Sequence, residues 1–419
     1  PDTLGFRKRI GLVVPSTNTT VQPETDALRV PGVTCHTGRV TIKERPLNTE
    51  EAFNEHMQMM RDGMGTAIDQ VVTAGLDHLI MGIALEIVLF LSGEPDDDLS
   101  ALRKILDQHQ PRIASWLLFQ EGHVCTPSGI AALARRHLAT YDTFARFAGG
   151  TDAFFVQLNR ERPSLDDLDL LTYSINPQVH AFDNTSLIEN LPAQAVTLVS
   201  ARQFSVGRGL MVSPVTLKLR YNPAAQKAPP EPLPGELSAQ VDPRQASLFG
   251  AGWTLGSIKY LSEGGAESIT YYETTGWLGV MERENPPTHS ALFPASPGEV
   301  FPLFHILADT GEFRGGEVLR TQTTNALAID GLALRSREKT CILLANFTPT
   351  RQEVDLRGMQ GAFNLRRLDE YNVTEAMRTP EAFRAQTAEP ITIGNEGLRL
   401  ELAPFALARL DLVIHSGGA

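Results

Sequence analysis

The chain has 419 residues, 42% of them hydrophobic and 21% charged, with a formal net charge of −12. That length allows two domains, or one large barrel with an appendage, and the composition is that of a globular protein. The acidic balance leaves no basic face for nucleic acid or for an anionic membrane surface.

From the N-terminus, "RIGLVV" (9–14) reads as a buried strand ended by Pro15, and "GVTCHTGRV" (32–40) as a second. The apolar run before Pro15 is too short for a signal peptide. A helix with capping-type residues at its start follows over 49–74. The segment "LIMGIALEIVLFL" (79–91) reads as a third strand. It carries Glu86 and falls short of the ~20 residues that a membrane span needs. Next come helix 97–109, strand 113–119, helix 127–140, strands 149–158 and 170–176, helix 185–203, strand 209–217, helix 243–263, strand 267–273 and helix 298–311. Alternation of this kind implies parallel βα units. Eight strands give a (β/α)8 barrel of the TIM type, with a doubly wound open sheet as the competing layout. The Pro-rich stretch 222–240 interrupts the seventh unit and reads as a loop on the active-site face. From about Glu317 short alternating strands and turn residues take over, the pattern of an antiparallel β-sandwich, with the boundary near 312–318.

Three widely spaced cysteines, Cys35, Cys125 and Cys341, form neither a disulfide framework nor a C-x-x-C metal site, so a reducing cytoplasm is expected. His56, His78, His289 and His305 lack metal-ligand spacing, and neither a metal nor another cofactor is expected.

In a (β/α)8 barrel the active site lies at the C-terminal strand ends. Polar residues there are Glu121 and His123 after the fourth strand, and Asp152 and Asn159 in and after the fifth. Asn176, Gln178, His180 and Asp183 follow the sixth, Ser213, Thr216 and Lys218 sit on or after the seventh, and Glu273 ends the eighth in "SITYYE". Paired carboxylates suit general acid/base work, so Glu273 and Glu121, with His180, are the catalytic candidates. Asn176, Asn159, Asp152 and Lys218 are the substrate-binding candidates, with Tyr272 and Trp277 as an aromatic wall. Each has a bland alternative. A strand-end carboxylate can cap a helix or pair with an arginine, His180 can be a packed histidine, Asn176 before Pro177 can serve a turn, and Glu86 reads first as an ion-pair member.

The stretches "LFLSGEPDDDLSALRKIL", "TDAFFVQLNRERP", "YSINPQVHAFDNTSLIE", "VSPVTLKLRYNP", "VDPRQASLFGAGWTLGSIKYL" and "YYETTGWLGVME" resemble the D-apionate lactonase family from about residue 85 to the end. The resemblance implies a barrel like that of the clan-A glycosidases with an attached β-sandwich, and ring-opening of a branched pentonolactone to the free acid. Clan-A hydrolases carry the acid/base at strand four and the nucleophile at strand seven. Glu121 suits the first position, whereas "VSPVTL" has no Glu and Glu273 falls on the eighth strand.

Residues 7–86 resemble a different group. "RKRIGLVVPSTNTTVQPE" and "HMQMMRDGMGTAIDQVVTAGLDHLIMG" are similar to the aspartate/glutamate racemase superfamily, in particular maleate isomerases and arylmalonate decarboxylases. That resemblance implies carboxylate binding by the loop Ser16, Thr17, Asn18 and Thr19. The cysteine pair on which that catalysis rests has no counterpart, because Ile83 and Ala84 follow "LIMG" and the second pseudo-symmetric half is absent. Together the two likenesses imply a fusion in which a racemase-like βαβα fragment (1–86) completes a (β/α) barrel (87–314) that precedes a β-sandwich (315–419).

The leading expectation is a cytoplasmic sugar-lactone hydrolase acting on a small molecule, without nucleic acid or membrane partners and with self-association left open. The alternatives are an isomerase or decarboxylase of small dicarboxylates acting at the 16–19 loop, and a carbohydrate-binding relic whose barrel mouth has lost its chemistry.

Overall fold

A computed structural model of the chain describes the strands at 8–15, 33–40 and 78–80, and residues 84–413 apart from 110, 221, 224–231, 234, 284–290 and 338. The chain divides into two compact units, Pro1–Leu85 and Glu86–Ala419.

In the first unit, β1 (Lys8–Pro15), β2 (Val33–Val40) and β3 (His78–Ile80) form a sheet in the order β2-β1-β3, with β1 parallel to both neighbours. The helix expected over 49–74 and the loop at Ser16, Thr17, Asn18 and Thr19 lie outside the described residues.

The second unit opens with a six-stranded sheet in sequence order: β4 (Ala84–Leu91), β5 (Arg112–Gln120), β6 (Arg146–Phe154), β7 (Leu170–Ile175), β8 (Gly209–Val215) and β9 (Ser268–Tyr271). The pairs from β5 to β9 are parallel. Helices α1 (Pro95–His109), α2 (Ile130–Leu138), α3 (Phe155–Glu161), α4 (Asn184–Glu189), α5 (Leu191–Ser205) and α6 (Leu248–Glu263) lie between the strands in sequence. Side chains alternate across the sheet. Trp116, Leu118 and Phe147 face the helices, while Leu117, Phe119, Ala148, Leu170 and Met211 meet on the opposite, inner face. Burial on both faces explains why these strands read as continuous apolar runs.

The sheet contains six of the eight strands expected for one barrel. The expected third strand is two, β3 and β4, in different sheets, and both edges of β1 are already paired within its own sheet. The expected fifth strand ends at Phe154 and continues as α3. A short apolar run such as "AFFVQL" fits either period, so periodicity could not separate the two. The expected helix 185–203 is interrupted at Asn190, with Pro192 in the first turn of its second half.

After β9 come β10 (Glu273–Thr275), β11 (Gly279–Met281) and α7 (Pro302–Gly311). The C-terminal part is antiparallel. Strands β12 (Glu317–Leu319), β13 (Ile329–Arg335), β14 (Thr340–Asn346), β15 (Gln352–Leu356) and β16 (Gly361–Leu368) lead to α8 (Val373–Arg378) and α9 (Pro380–Ala385). Strands β17 (Glu389–Ile393), β18 (Leu398–Leu402) and β19 (Leu407–Leu412) complete the fold. One sheet has the order β12-β13-β14-β19-β16-β17, and β15 pairs with β18. No helix among the described residues is long and apolar enough to cross a membrane.

Helix α6 is the seam between the parallel sheet and this sandwich, and it is buried along nearly its whole length. Small residues make that burial sterically feasible. A Cβ on Gly256 would meet Leu191 Cδ1 at 2.5 Å, and one on Gly250 would meet the Arg244 carbonyl oxygen at 2.1 Å. Lys259, also buried, donates to Asp330 of β13 at 2.6 Å, and the Tyr260 hydroxyl donates to the other carboxylate oxygen at 2.8 Å.

A second clamp is built on Asp309 of α7, which is 4% exposed. It accepts from Arg366 at 2.7 Å, Arg384 at 2.7 Å and Arg409 at 2.6 Å. Burial opposes ionisation, but the three guanidinium groups outweigh it and hold the carboxyl below its usual range. Removing one partner from such a cluster leaves uncompensated buried charge. Asp309→Asn should therefore cost about 3–5 kcal/mol in urea denaturation.

His305 on the same helix packs edge-on against Phe383 of α9 and pairs its Nε2 with the Ala376 carbonyl at 3.0 Å. Burial lowers its pKa to about 4, so the folded state keeps the ring neutral while the unfolded chain protonates near 6.5. Stability is then complete above about pH 6.5 and falls by about 1.4 kcal/mol per unit as the pH drops toward 4. Unfolding measured against pH should show that slope in the wild type, and His305→Phe should flatten it.

Candidate functional site

The carboxyl ends of β8 and β9 surround a cavity of about 200 Å³. Val88 of β4, Ser213 of β8, Thr216, Lys218 and Arg220 beyond β8, and Thr270 of β9 contribute to its wall. Gln240, Asp242, Gln245, Tyr272 and Glu273 line the remainder, with Pro214, Leu217 and Leu278.

Tyr272 belongs to its wall, and Tyr271 precedes it as the last residue of β9. Residues next to each other in a strand point to opposite faces, yet both hydroxyls bond to α6: Tyr271 donates to Ser257 Oγ at 2.8 Å, and Tyr272 shares a 2.7 Å hydrogen bond with Thr254 Oγ1. The break in alternation coincides with Tyr272 at φ +53°, a left-handed conformation that costs a bulky side chain energy. Beyond it Glu273 donates its N–H to the Leu278 carbonyl at 3.0 Å. Gly276, at φ +87°, closes the turn, and a Cβ on Gly279 would meet the Thr275 backbone at 2.8 Å. Glu273 is thus an exposed carboxylate on a tightly determined loop.

The opposite wall rests on Asp242, which is 4% exposed. It accepts from Arg244 Nη2 at 2.6 Å and Nε at 2.9 Å, and from Gln178 Nε2 at 2.6 Å. Burial works against its ionisation, but the Arg244 and Gln178 hydrogen bonds prevail and keep its pKa below the usual carboxylate value. Gln178 Nε2 also donates to the Leu217 carbonyl at 2.7 Å, so the network ties the chain after β7 to the chain after β8. Asp242 was absent from the sequence-derived candidates. Its local signal, an Asp-Pro-Arg helix start in which the Asp242 side chain accepts from the Arg244 N–H, reads as a cap.

Of the residues singled out from sequence, Ser213, Thr216, Lys218, Tyr272 and Glu273 line the cavity. Asp152 is half-buried on β6, and its pKa is raised by burial against the opposing charge of Arg220, which puts it within electrostatic reach of the wall. Asn176 lies just past β7 with its Oδ1 buried and without a partner among the described atoms. Trp277 stacks on Phe293, with ring centroids 5.7 Å apart, and is outside the cavity wall. Glu121 and His180 are exposed and also outside it. Asn159 sits on α3 rather than at a strand end, and accepts from Arg162 at 3.1 Å. The carboxylate that shares the wall with Glu273 is therefore Asp242, not Glu121. Cys125 is buried, which pushes its thiol up to about 12 and leaves it unreactive as a nucleophile at neutral pH.

A family model described as the D-apionate lactonase TIM barrel domain matches residues 51–315, and one described as the C-terminal immunoglobulin-like domain of the same lactonase matches 326–410. The chain belongs to the D-apionate lactonase family. The barrel match of that family begins at 51 and so takes in 51–86, which the sequence reading gave to a racemase-like fragment. A D-apionate lactonase of Brucella anthropi is 29% identical over 145 residues, 34% of this chain and 24% of that protein, so the alignment spans about a quarter of the relative's length. Solved structures similar to the chain include a GH30 endoxylanase from Clostridium papyrosolvens C71, with TM-score 0.49 and 11% identity over 98% of each chain. Another is a GH39 β-xylosidase from Caulobacter crescentus, with TM-score 0.49 and 13% identity over 99% of this chain and 97% of that one.

The Asp242 network makes the integrity of the wall measurable. Arg244→Met should lower stability by roughly 3 kcal/mol, because it strands a buried carboxylate. Adding Asp242→Asn to that variant should recover part of the loss in thermal unfolding.

Proposed function

We propose that this protein is a hydrolase that opens a sugar lactone, a branched pentonolactone of the D-apionolactone kind, to the free aldonic acid. Family membership supports the reaction class. The observation that carries the reading is a single cavity at the strand ends whose wall holds a carboxylate, Glu273, together with two cations, Lys218 and Arg220.

In the proposed reaction Glu273 takes a proton from a water molecule as its oxygen bonds to the lactone carbonyl carbon. Negative charge builds on the former carbonyl oxygen, where Lys218 or Arg220 stabilises it. The bond from that carbon to the ring oxygen then breaks, and the ring oxygen takes the proton from Glu273. Lactone and water are consumed, the hydroxy acid is released, and Glu273 returns to its ionised form. Asp242 keeps the wall in shape, since its oxygens are occupied by Arg244 and Gln178. Asn176 offers an unpartnered acceptor near the same strand ends, and Asp152 a second carboxylate within reach of Arg220. Glu121, His180, Asn159 and Trp277 belong to outer parts of the mouth in this reading and would meet only the far side of a substrate.

The finer domain reading, residues 1–86 as a racemase-like fragment ahead of the barrel at 87–314 and the sandwich at 315–419, draws support from the parallel order β2-β1-β3. Flavodoxin-like sheets begin in that order. A cytoplasmic setting, with the lactone as the partner and neither nucleic acid nor membrane, completes the proposal.

Acid release from D-apionolactone and a panel of aldonolactones at neutral pH tests it. Wild type should open at least one of them, and Glu273→Gln should lower kcat by about 10²–10⁴-fold with the fold retained. A folded wild type that opens none would remove the lactonase reading.

A further inference from the structure

Strand β8 brings a further polar group to the cavity. Met211 of β8 belongs to the inner face of the sheet, whereas Leu210, Val212 and Val215 pack into the core that also holds Leu187, Leu198 and Leu255 of the helices. Period-two alternation therefore turns Ser213 inward, two residues nearer the carboxyl end than Met211. The ladders that β8 makes with β7 and with β9 both lose register before Val215, after Val212. Irregularities of this kind recur beside active sites, where they re-aim side chains. Here Ser213 and Pro214, neighbours in sequence, both line the cavity.

The wall holds the hydroxyl groups of Ser213, Thr216, Thr270 and Tyr272. Thr216 Oγ1 donates its proton to the Lys218 carbonyl at 2.7 Å. Thr270 Oγ1 donates to Glu86 Oε2 of β4 at 3.1 Å, because an ionised carboxylate only accepts. The Thr254 Oγ1 proton goes to the Gly250 carbonyl at 2.8 Å, so in the bond between Thr254 and Tyr272 the phenol is the donor. Ser213 is 7% exposed, and its hydroxyl makes no hydrogen bond to the described residues. We propose that Ser213 is a catalytic residue whose hydroxyl donates to the lactone carbonyl oxygen and stabilises the negative charge that builds there as water adds. The inference rests on the lactonase reading for the identity of the reacting group.

Ser213 keeps its proton throughout. Its hydrogen bond strengthens as the carbonyl oxygen gains charge, and relaxes when the bond to the ring oxygen breaks and the carbonyl re-forms. A donor that is already aimed and shielded from water needs no reorganisation at the moment of reaction. Lys218 and Arg220 bring charge from the segment beyond β8, while Ser213 brings direction from the strand itself, where a side chain is held more precisely than on a loop. Attack by Ser213 is the poorer use of the same group. A serine nucleophile needs an adjacent base, and no histidine lines the cavity among the described residues. The Asp242 oxygens are occupied by Arg244 and Gln178, and Glu273 serves the water in the proposed reaction.

The test measures kcat and KM on an aldonolactone that wild type opens, together with calorimetric binding of 1,4-anhydro-D-ribitol, a ring without the carbonyl. Ser213→Ala should lower kcat by about 10²-fold, with KM and anhydroribitol binding changed by less than about threefold. Ser213→Cys, whose S–H is a weak donor of similar bulk, should fall between wild type and Ser213→Ala, and it carries the comparison if the alanine variant fails to fold. An unchanged kcat, a loss carried by KM, or a matching loss of anhydroribitol binding overturns the inference and leaves the lactonase reading standing. So does a lactone-sized mass found on acid-quenched wild type and absent from Ser213→Ala, since Ser213 would then be a nucleophile. If wild type opens no lactone, that reading falls, and binding of D-ribono-1,4-lactam, which has the carbonyl and resists hydrolysis, decides the inference alone. A preference for the lactam over anhydroribitol of about fivefold that disappears in Ser213→Ala upholds it, and no preference, or one that survives in the variant, overturns it.

Discussion

The Glu273 side of the candidate site hangs from one helix that is buried on nearly all sides. Helix α6 lies between the parallel sheet and the β-sandwich, and each of its faces carries an obligation. One face receives the Tyr271 and Tyr272 hydroxyls through Ser257 and Thr254, which fixes the end of β9 and with it the start of the Glu273 loop. Another places Lys259 on Asp330 of the sandwich. A helix in that position cannot carry large residues all round, because its neighbours approach too closely at Gly250 and Gly256. The sandwich therefore supports the site indirectly: without it α6 would expose an apolar flank, and β9 would lose the scaffold that orients its last residues.

Two buried carboxylates show how the same chemistry serves different ends. Asp309 and Asp242 are both kept ionised against burial by arginine, and both have their oxygens occupied. Asp309 joins α7 to β16, α9 and β19, a purely architectural role. Asp242 joins the segments after β7 and β8 at the cavity itself. Neither is suited to proton transfer, because an ionised carboxylate saturated by donors has little left with which to attract another proton. Glu273, exposed on a constrained loop beyond a left-handed tyrosine, has the freedom that chemistry needs. In the proposed reaction rigidity and reactivity are thus separated between different carboxylates.

Much of the architecture was legible in the sequence. The period-two pattern after Glu317 foretold the antiparallel domain, and the alternation of apolar runs with helical stretches foretold parallel βα units. Boundaries were poorer where a run satisfied both periods, as at "AFFVQL", or where a single apolar stretch concealed the break between β3 and β4. The reading of Glu273 as a strand-end group at the barrel mouth came from position alone, and Lys218 and Tyr272 came with it.

Asp242, Gln178 and Arg244 could not be paired from sequence. Gln178 and Asp242 are 64 positions apart, and nothing local distinguishes a helix-capping aspartate from one that also welds two strand ends together. The same holds for Glu86 and Thr270, 184 positions apart and on opposite edges of the sheet. The sequence by itself determined which segments bury their side chains and with what period, because burial pattern is a local property of the chain. Which polar groups face one another, and which are left facing a ligand, only the tertiary structure decided, because hydrogen-bond partners far apart in the chain are chosen by packing.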